Sequence, residues 1–340
     1  MTPNWSHNQP FGLEELEVDA ASRYLANVPG SLIQSDKVRC CVRDCNHWIA
    51  RRQRGVNDSN AFCPVHGISV STSPTYIYKD DSRNFIIDIE MLHQVKPLKV
   101  ESWRLGNERS EDALSWNVFR GLSGLNSLSI ALHSLTGIEI DTNPELYLWG
   151  IKVSDAQPHV WPRLLAIRHA LEKGVGIPTE PDIILRVPGK VIVLIEAKFG
   201  SGNGTMAGQE DRFGAVADFL NRYPCMEGQN DPLNRAWIEE QNPDQVLQQL
   251  VRNVIFAQWL AEDGEIPFVV NLVRDTEERN VAERMAFHLA SNGPVKFRRA
   301  TWEKLLQLPF SSNKETAAPL THYFENKTNK LARAFQPCKL

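Results

Sequence analysis

Asp182 opens the apolar stretch "DIILRVPGKVIVLIEAKF", and Glu196 and Lys198 stand near its end. In the second half Val191, Val193, Ile195 and Ala197 alternate with Ile192 and Leu194. A strand apolar on both faces belongs at the centre of a covered sheet. Glu196 and Lys198 share one face, because side chains repeat every two residues. Charged groups are rarely buried unless paired or metal-bound, so this end of the strand is expected to open onto a cleft. Asp182 joins them only in some registers. A two-residue "PG" loop makes paired residue numbers sum to 377 and puts Asp182 on the wrong face; a three-residue "PGK" loop, or a bulge, makes the sum 378 and sets Asp182 opposite Glu196. Two carboxylates held about 5 Å apart repel and are tolerated when a cation sits between them. Hard oxygen ligands of this kind suit Mg²⁺ or Mn²⁺.

A second group of ligating residues lies in "CCVRDCNHWIARRQRGVNDSNAFCPVHG". Cys40 and Cys45, then Cys63 and His66, form two close pairs, with Cys41 a rival first ligand and His47 a rival fourth. The spacing is similar to a zinc ribbon or treble-clef knuckle, and four protein ligands mark a structural Zn²⁺ site. A segment this short cannot order itself on apolar burial alone; metal binding, at about 10–16 kcal/mol in small zinc peptides, changes that. Residues 37–55 hold Lys37, Arg39, Arg43, Arg51, Arg52 and Arg54 against the single acid Asp44. Such an excess, beside Trp48, suits a phosphate backbone.

Pro181-Asp182, a turn, and Glu196-Ala197-Lys198 on the following strand together resemble the PD-(D/E)XK nuclease superfamily, the restriction-endonuclease-like fold, over roughly residues 105–310. The resemblance implies that Asp182, Glu196 and the carbonyl of Ala197 bind the catalytic divalent ion. It implies that Lys198 orients the attacking water and stabilises the transition state. The family adds an acid from the helix before the sheet, for which Glu111 is chosen over Glu108 and Asp112. It also places a polar residue on the helix after the Glu-x-Lys strand, a role given to Gln249, with Arg252 reaching phosphate. The polar insertion between 200 and 240 departs from compact members and reads as a lid, a DNA-contacting loop or a plain excursion of the chain.

The elements that must position these residues follow from pattern. "TYIYKD-DSRNFIIDIEML" reads as a β-hairpin about "DDSR". "SEDALSWNVFRGL", "NSLSIALHSLTG" and "WPRLLAIRHALEKG" have helical spacing, and "ELYLWGIKV" reads as one strand. A helix over 243–262 has Asn242 as N-cap and Pro243 at its first position, with an apolar stripe at 246, 247, 250, 251, 254 and 255. "IPFVVNLVRD" and "PVKFRRATW" are strands on either side of the helix "EERNVAERMAFHLASNG". The expected fold is α/β, a mixed central sheet flanked by helices, plus a small zinc-binding, β-rich N-terminal module. The expected domains are 1–100 with the knuckle at about 37–68, a core over 101–312, and a basic tail or helix over 313–340.

Net charge is −4 over 340 residues, so any basic footprint is local. No apolar run approaches the roughly 20 residues of a bilayer span. The first residues lack a basic and apolar leader pattern, and clustered cysteines without one point to a reducing, cytoplasmic setting. The reading is a Mg²⁺-dependent endonuclease acting on nucleic acid, DNA before RNA, in restriction or phage defence, with a homodimer or defence-system partners as possible company. The alternative is a non-catalytic nucleic-acid-binding or scaffold protein on the same fold.

Overall fold

The computed structural model describes residues 3–6, 10–12, 15–16, 33–34, 37–50, 61–70, 75–100, 105–173, 178–203, 216–242, 245–308, 314–329 and 332–335. The chain divides into two compact units, residues 1–90, 101–125 and 309–340 in the first, 91–100 and 126–308 in the second.

In the first unit, strands β1 (Ile33–Gln34), β2 (Lys37–Arg39) and β3 (Trp48–Ala50) form an antiparallel sheet. Strands β4 (Ile68–Val70) and β5 (Tyr76–Tyr78) form a second one. The hairpin expected about "DDSR" is not there. Tyr76–Tyr78 pairs backwards with Ile68–Val70, and Asp81–Asn84 is a 3-10 turn whose Ser82 amide is accepted by Asp80 at 3.0 Å. Phe85, Ile86 and Ile87 are all buried, so no alternating, half-exposed strand can form there. Helix α1 (Glu111–Gly124) starts at Ser110, whose hydroxyl accepts the Ala113 amide at 3.1 Å. It packs in this unit against the C-terminal helix Lys314–Asn326. The expected basic tail thus contains a helix and a short ladder between Thr328–Asn329 and Ala332–Arg333.

The second unit is a seven-stranded mixed sheet. Its strands are β6 (Glu145–Leu148), β7 (Ile151–Lys152), β8 (His159–Val160), β9 (Ile183–Val187), β10 (Val191–Ala197), β11 (Ile266–Val273) and β12 (Lys296–Thr301), in the order β12-β11-β10-β9-β6-β7-β8. Strands β10, β11 and β12 are parallel; the other pairings are antiparallel. The helices are α2 (Leu128–Thr136), α3 (Pro162–Leu171), α4 (Val216–Arg222), α5 (Arg235–Glu239), α6 (Gln248–Leu260), α7 (Val281–His288) and α8 (Trp302–Leu306).

"ELYLWGIKV" is two strands and not one. Trp149 and Gly150 have φ of 57° and 77°, which is the backbone of a two-residue hairpin turn. Gly150 is required there, since a Cβ would run into Leu164 Cδ2. The helix expected from Pro243 begins at Gln248. Val246 and Leu247 are buried before it, and the Leu247 amide is taken by His288 Nε2 at 3.3 Å. The apolar stripe still holds: Val246, Leu247, Leu250, Val251, Val254 and Ile255 join Ile192, Leu194 and Val269 in one core. This packing covers the sheet face that carries Glu196 and Lys198.

Candidate functional site

The β9–β10 ladder pairs Val187 with Val191 and Ile183 with Ile195, so paired numbers sum to 378. The loop is the three residues Pro188, Gly189 and Lys190, closed by the Lys190 amide on the Val187 carbonyl at 3.0 Å. Gly189 has φ of 71°. One step beyond the last pair, Asp182 falls opposite Glu196 on the face that Lys198 shares. Pro181, with no N–H, cannot extend the ladder. The Asp182 side chain takes over: its Oδ2 accepts the Ala197 amide at 2.8 Å, and its own carbonyl accepts Trp149 N at 3.1 Å.

Glu196 and Lys198 are 6% and 7% exposed, so both charges are held inside the protein. Lys198 Nζ donates to Glu196 Oε1 at 2.6 Å, and Asn253 Nδ2 on α6 donates to Glu196 Oε2 at 2.8 Å. The Lys198 backbone is fixed on both sides, its amide on Leu272 O at 2.8 Å and its carbonyl under Trp302 Nε1 at 3.0 Å. Across β11, Asn271 is the register partner of Glu196, and Asn203 Nδ2 donates to Asn271 Oδ1 at 2.9 Å. The Asn203 amide in turn donates to Glu278 Oε1 at 2.9 Å. Two carboxylates, an ammonium and three amides therefore gather where β10 and β11 end.

Gln249 is exposed, and the helix residue that reaches Glu196 is Asn253, one turn later. Asn253 could have been found from its i+4 spacing to Gln249, had the helix phase been known. Arg252 is half-buried beside Tyr223, and its Nε has no partner among the described residues. Glu111 sits in the first turn of α1, in the first unit, whereas Asp182, Glu196 and Lys198 belong to the second. Asp112 shares that turn, and Glu108 is buried with Lys327, 3.3 Å from its Nζ.

Cys40, Cys45, Cys63 and His66 converge, with all four ligand atoms within 4.8 Å of one another. Cys45 Sγ lies 3.8 Å from Cys63 Sγ, and His66 Nδ1 lies 3.6 Å from the sulfurs of both Cys40 and Cys63. With Zn–S near 2.3 Å and Zn–N near 2.05 Å, the edges of a tetrahedron are about 3.8 and 3.6 Å. The cluster can hold a metal ion such as zinc, and it is the one such group of three or more His, Cys, Asp or Glu side chains among the described residues. Burial raises the Cys40 thiol far above its usual range, so the positive charge of an ion is what would draw off its proton. Burial and the Arg83 cation hold His66 toward its neutral, ligating form. Cys41 is buried outside the set, its thiol pushed up to about 12 by burial. Arg39 Nε braces the knuckle on Cys45 O at 2.7 Å. The basic residues Arg51, Arg52 and Arg54 lie outside the described residues.

No helix among the described residues is long and apolar enough to cross a membrane. No protein-family model, curated protein or solved structure matches the chain.

Proposed function

We propose that the chain is a divalent-metal-dependent nuclease of the PD-(D/E)XK kind, with DNA as its first candidate substrate. The observation that supports this reading is the register of β9 on β10, whose paired numbers sum to 378, so that one step past the Ile183–Ile195 pair Asp182 would stand opposite Glu196. The donor set fits the ion: carboxylate oxygens next to a peptide carbonyl, that of Ala197, are hard ligands suited to Mg²⁺ or Mn²⁺. Such an ion supplies positive charge against the phosphodiester and makes water a stronger acid.

The residues of the chain do the rest. Asn253 and Lys198 fix the orientation of the Glu196 carboxylate from two sides, so no reorganisation is needed when substrate arrives. Lys198, held on Glu196, is assigned to a water or a phosphate oxygen that meets this pair. On the helix that bears Asn253, Gln249 is assigned to the water or Lys198, and Arg252 to phosphate. The cysteine and histidine cluster is assigned a structural Zn²⁺, with Arg51, Arg52 and Arg54 gripping the nucleic-acid backbone.

The test is to incubate plasmid DNA, single-stranded DNA and RNA with the full chain and Mg²⁺ or Mn²⁺, beside Glu196→Ala and Lys198→Ala. Cleavage that needs the ion and disappears in both variants is expected. Cleavage that survives Glu196→Ala removes the site. Metal-independent binding without cleavage by any preparation would favour a scaffold role instead.

A further inference from the structure

Asp182 is held by the chain that leads into it, and that chain is gripped at nearly every residue. The Thr179 amide donates to Glu172 Oε2 at 2.8 Å, and its hydroxyl donates to Glu172 Oε1. The Thr179 carbonyl accepts Arg168 Nε at 2.6 Å. Glu180 accepts Lys99 Nζ at 3.1 Å and the Val100 amide at 2.8 Å. Tyr223, the residue that follows α4, donates its hydroxyl to Glu172 Oε1 at 2.8 Å. Burial pushes the Tyr223 phenol up to about 12, which keeps it a donor at neutral pH.

Glu172 is the costly member of this clasp. It is 5% exposed, and it caps the C-terminal end of α3, where the helix dipole disfavours a negative charge. Burial of a carboxylate is unfavourable as well. The Arg168 cation offsets part of this cost, and the carboxylate accepts three hydrogen bonds that an amide, with one acceptor atom, could not all match. Local rules broken in this way are expected where geometry serves a site. We infer that the Glu172–Thr179–Tyr223 clasp is a positioning device that sets where the Asp182 carboxylate stands, and so sets the affinity of the sheet site for its divalent ion. Tyr223 belongs to the 200–240 insertion, so the insertion acts on the metal site from within the core and its role is not confined to lid or DNA contact. The inference rests on the nuclease reading above.

Its test is calorimetric titration of zinc-replete full-length protein with Mn²⁺. Wild type is compared with Tyr223→Phe, Glu172→Gln and Asp182→Asn. Tyr147→Phe serves as control, since it deletes an equivalent 2.9 Å phenol–carboxylate bond, to Glu145, elsewhere in the same unit. Tyr223→Phe and Glu172→Gln are expected to weaken Mn²⁺ binding about 5- to 20-fold, in line with one to two lost hydrogen bonds. Tyr147→Phe is expected to leave it unchanged. Should Asp182→Asn abolish binding while the two clasp variants match wild type, the clasp is not a positioning device, although the ion site stands. An equal loss in Tyr147→Phe would reduce the effect to general loosening and overturn the inference as well. If wild type takes up no Mn²⁺, or Asp182→Asn takes it up unchanged, both this inference and the nuclease reading fail.

Discussion

The Asp182 carboxylate accepts the main-chain amide of Ala197 at 2.8 Å, so one side chain both ends the β9–β10 ladder and is a proposed ligand of the divalent ion. The two jobs separate by mutation. Asp182→Asn keeps an oxygen acceptor for the amide and removes one of two like charges placed opposite each other, a pairing that destabilises sheets. Its melting temperature is expected to equal or exceed that of wild type, while Mn²⁺ binding is lost. Asp182→Ala also leaves the Ala197 amide without its partner and is expected to cost about 1–3 kcal/mol in chemical denaturation.

Asn253 gives a second separation. Asn253→Ala strips Glu196 Oε2 of its 2.8 Å donor inside a buried pair, for which about 1.5–3 kcal/mol of destabilisation is expected. Gln249→Ala, at an exposed position on the same helix, should change stability by less than about 0.5 kcal/mol. Urea titration of the two variants side by side reads the difference. Comparable losses would mean that the Asn253 contact does not hold Glu196.

Much of this is legible in the residues, and the failures have identifiable causes. The double apolar alternation from Val191 to Ala197 demands a central strand, and β10 is paired on both sides and buried throughout. The spacing favours Cys40, Cys45, Cys63 and His66, which converge, but leaves Cys41 and His47 as rivals that only the fold removes. The register is not fixed by sequence, because Gly189 permits a positive φ without compelling it. The phase of α6 is hidden because Asn242-Pro243 carries a start signal, yet core burial of Val246 and Leu247 delays the helix to Gln248. The strand Tyr76–Tyr78 finds its partner before it in the chain and not after, a choice local alternation does not encode. Likewise, nothing in the pattern of α1 says that it packs with Lys314–Asn326, about 200 residues away, a contact reached only in the folded chain.

For the cysteine cluster, elemental analysis of the purified chain is expected to give one zinc per molecule. Cys63→Ser and His66→Ala should lose it, and Cys41→Ser should keep it, because Cys41 lies outside the converging set. Chelation should expose the first unit to protease at residues that are protected in the loaded protein, since such ions contribute about 10–16 kcal/mol to small zinc-bound folds. Loss of zinc in Cys41→Ser with retention in Cys40→Ser would reassign the first ligand.

Glu108 and Lys327 have side chains that are each 1% exposed and lie 3.3 Å apart. Lys327 also donates to the Glu108 carbonyl at 2.5 Å, and the Thr328 amide and hydroxyl reach Glu108 Oε1 at 3.3 and 3.1 Å. The pair ties the end of the chain to the segment before α1. Lys327→Met leaves a buried carboxylate without its cation and is expected to cost about 3–5 kcal/mol, whereas Glu108→Gln with Lys327→Met should recover most of the loss. Burial alone would lower the Lys327 pKa, but the Glu108 carboxylate and Tyr323 raise it above the ordinary lysine value. A raised folded pKa contributes stability that is whole below the unfolded value, near 10.4, and is lost as pH climbs through the folded one. Denaturant midpoints measured from pH 8 to 11 should therefore hold steady up to about pH 10 as far as this pair is concerned. They should then fall more steeply in wild type than in the double variant. Parallel curves for the two proteins would show that the pair carries no net stability.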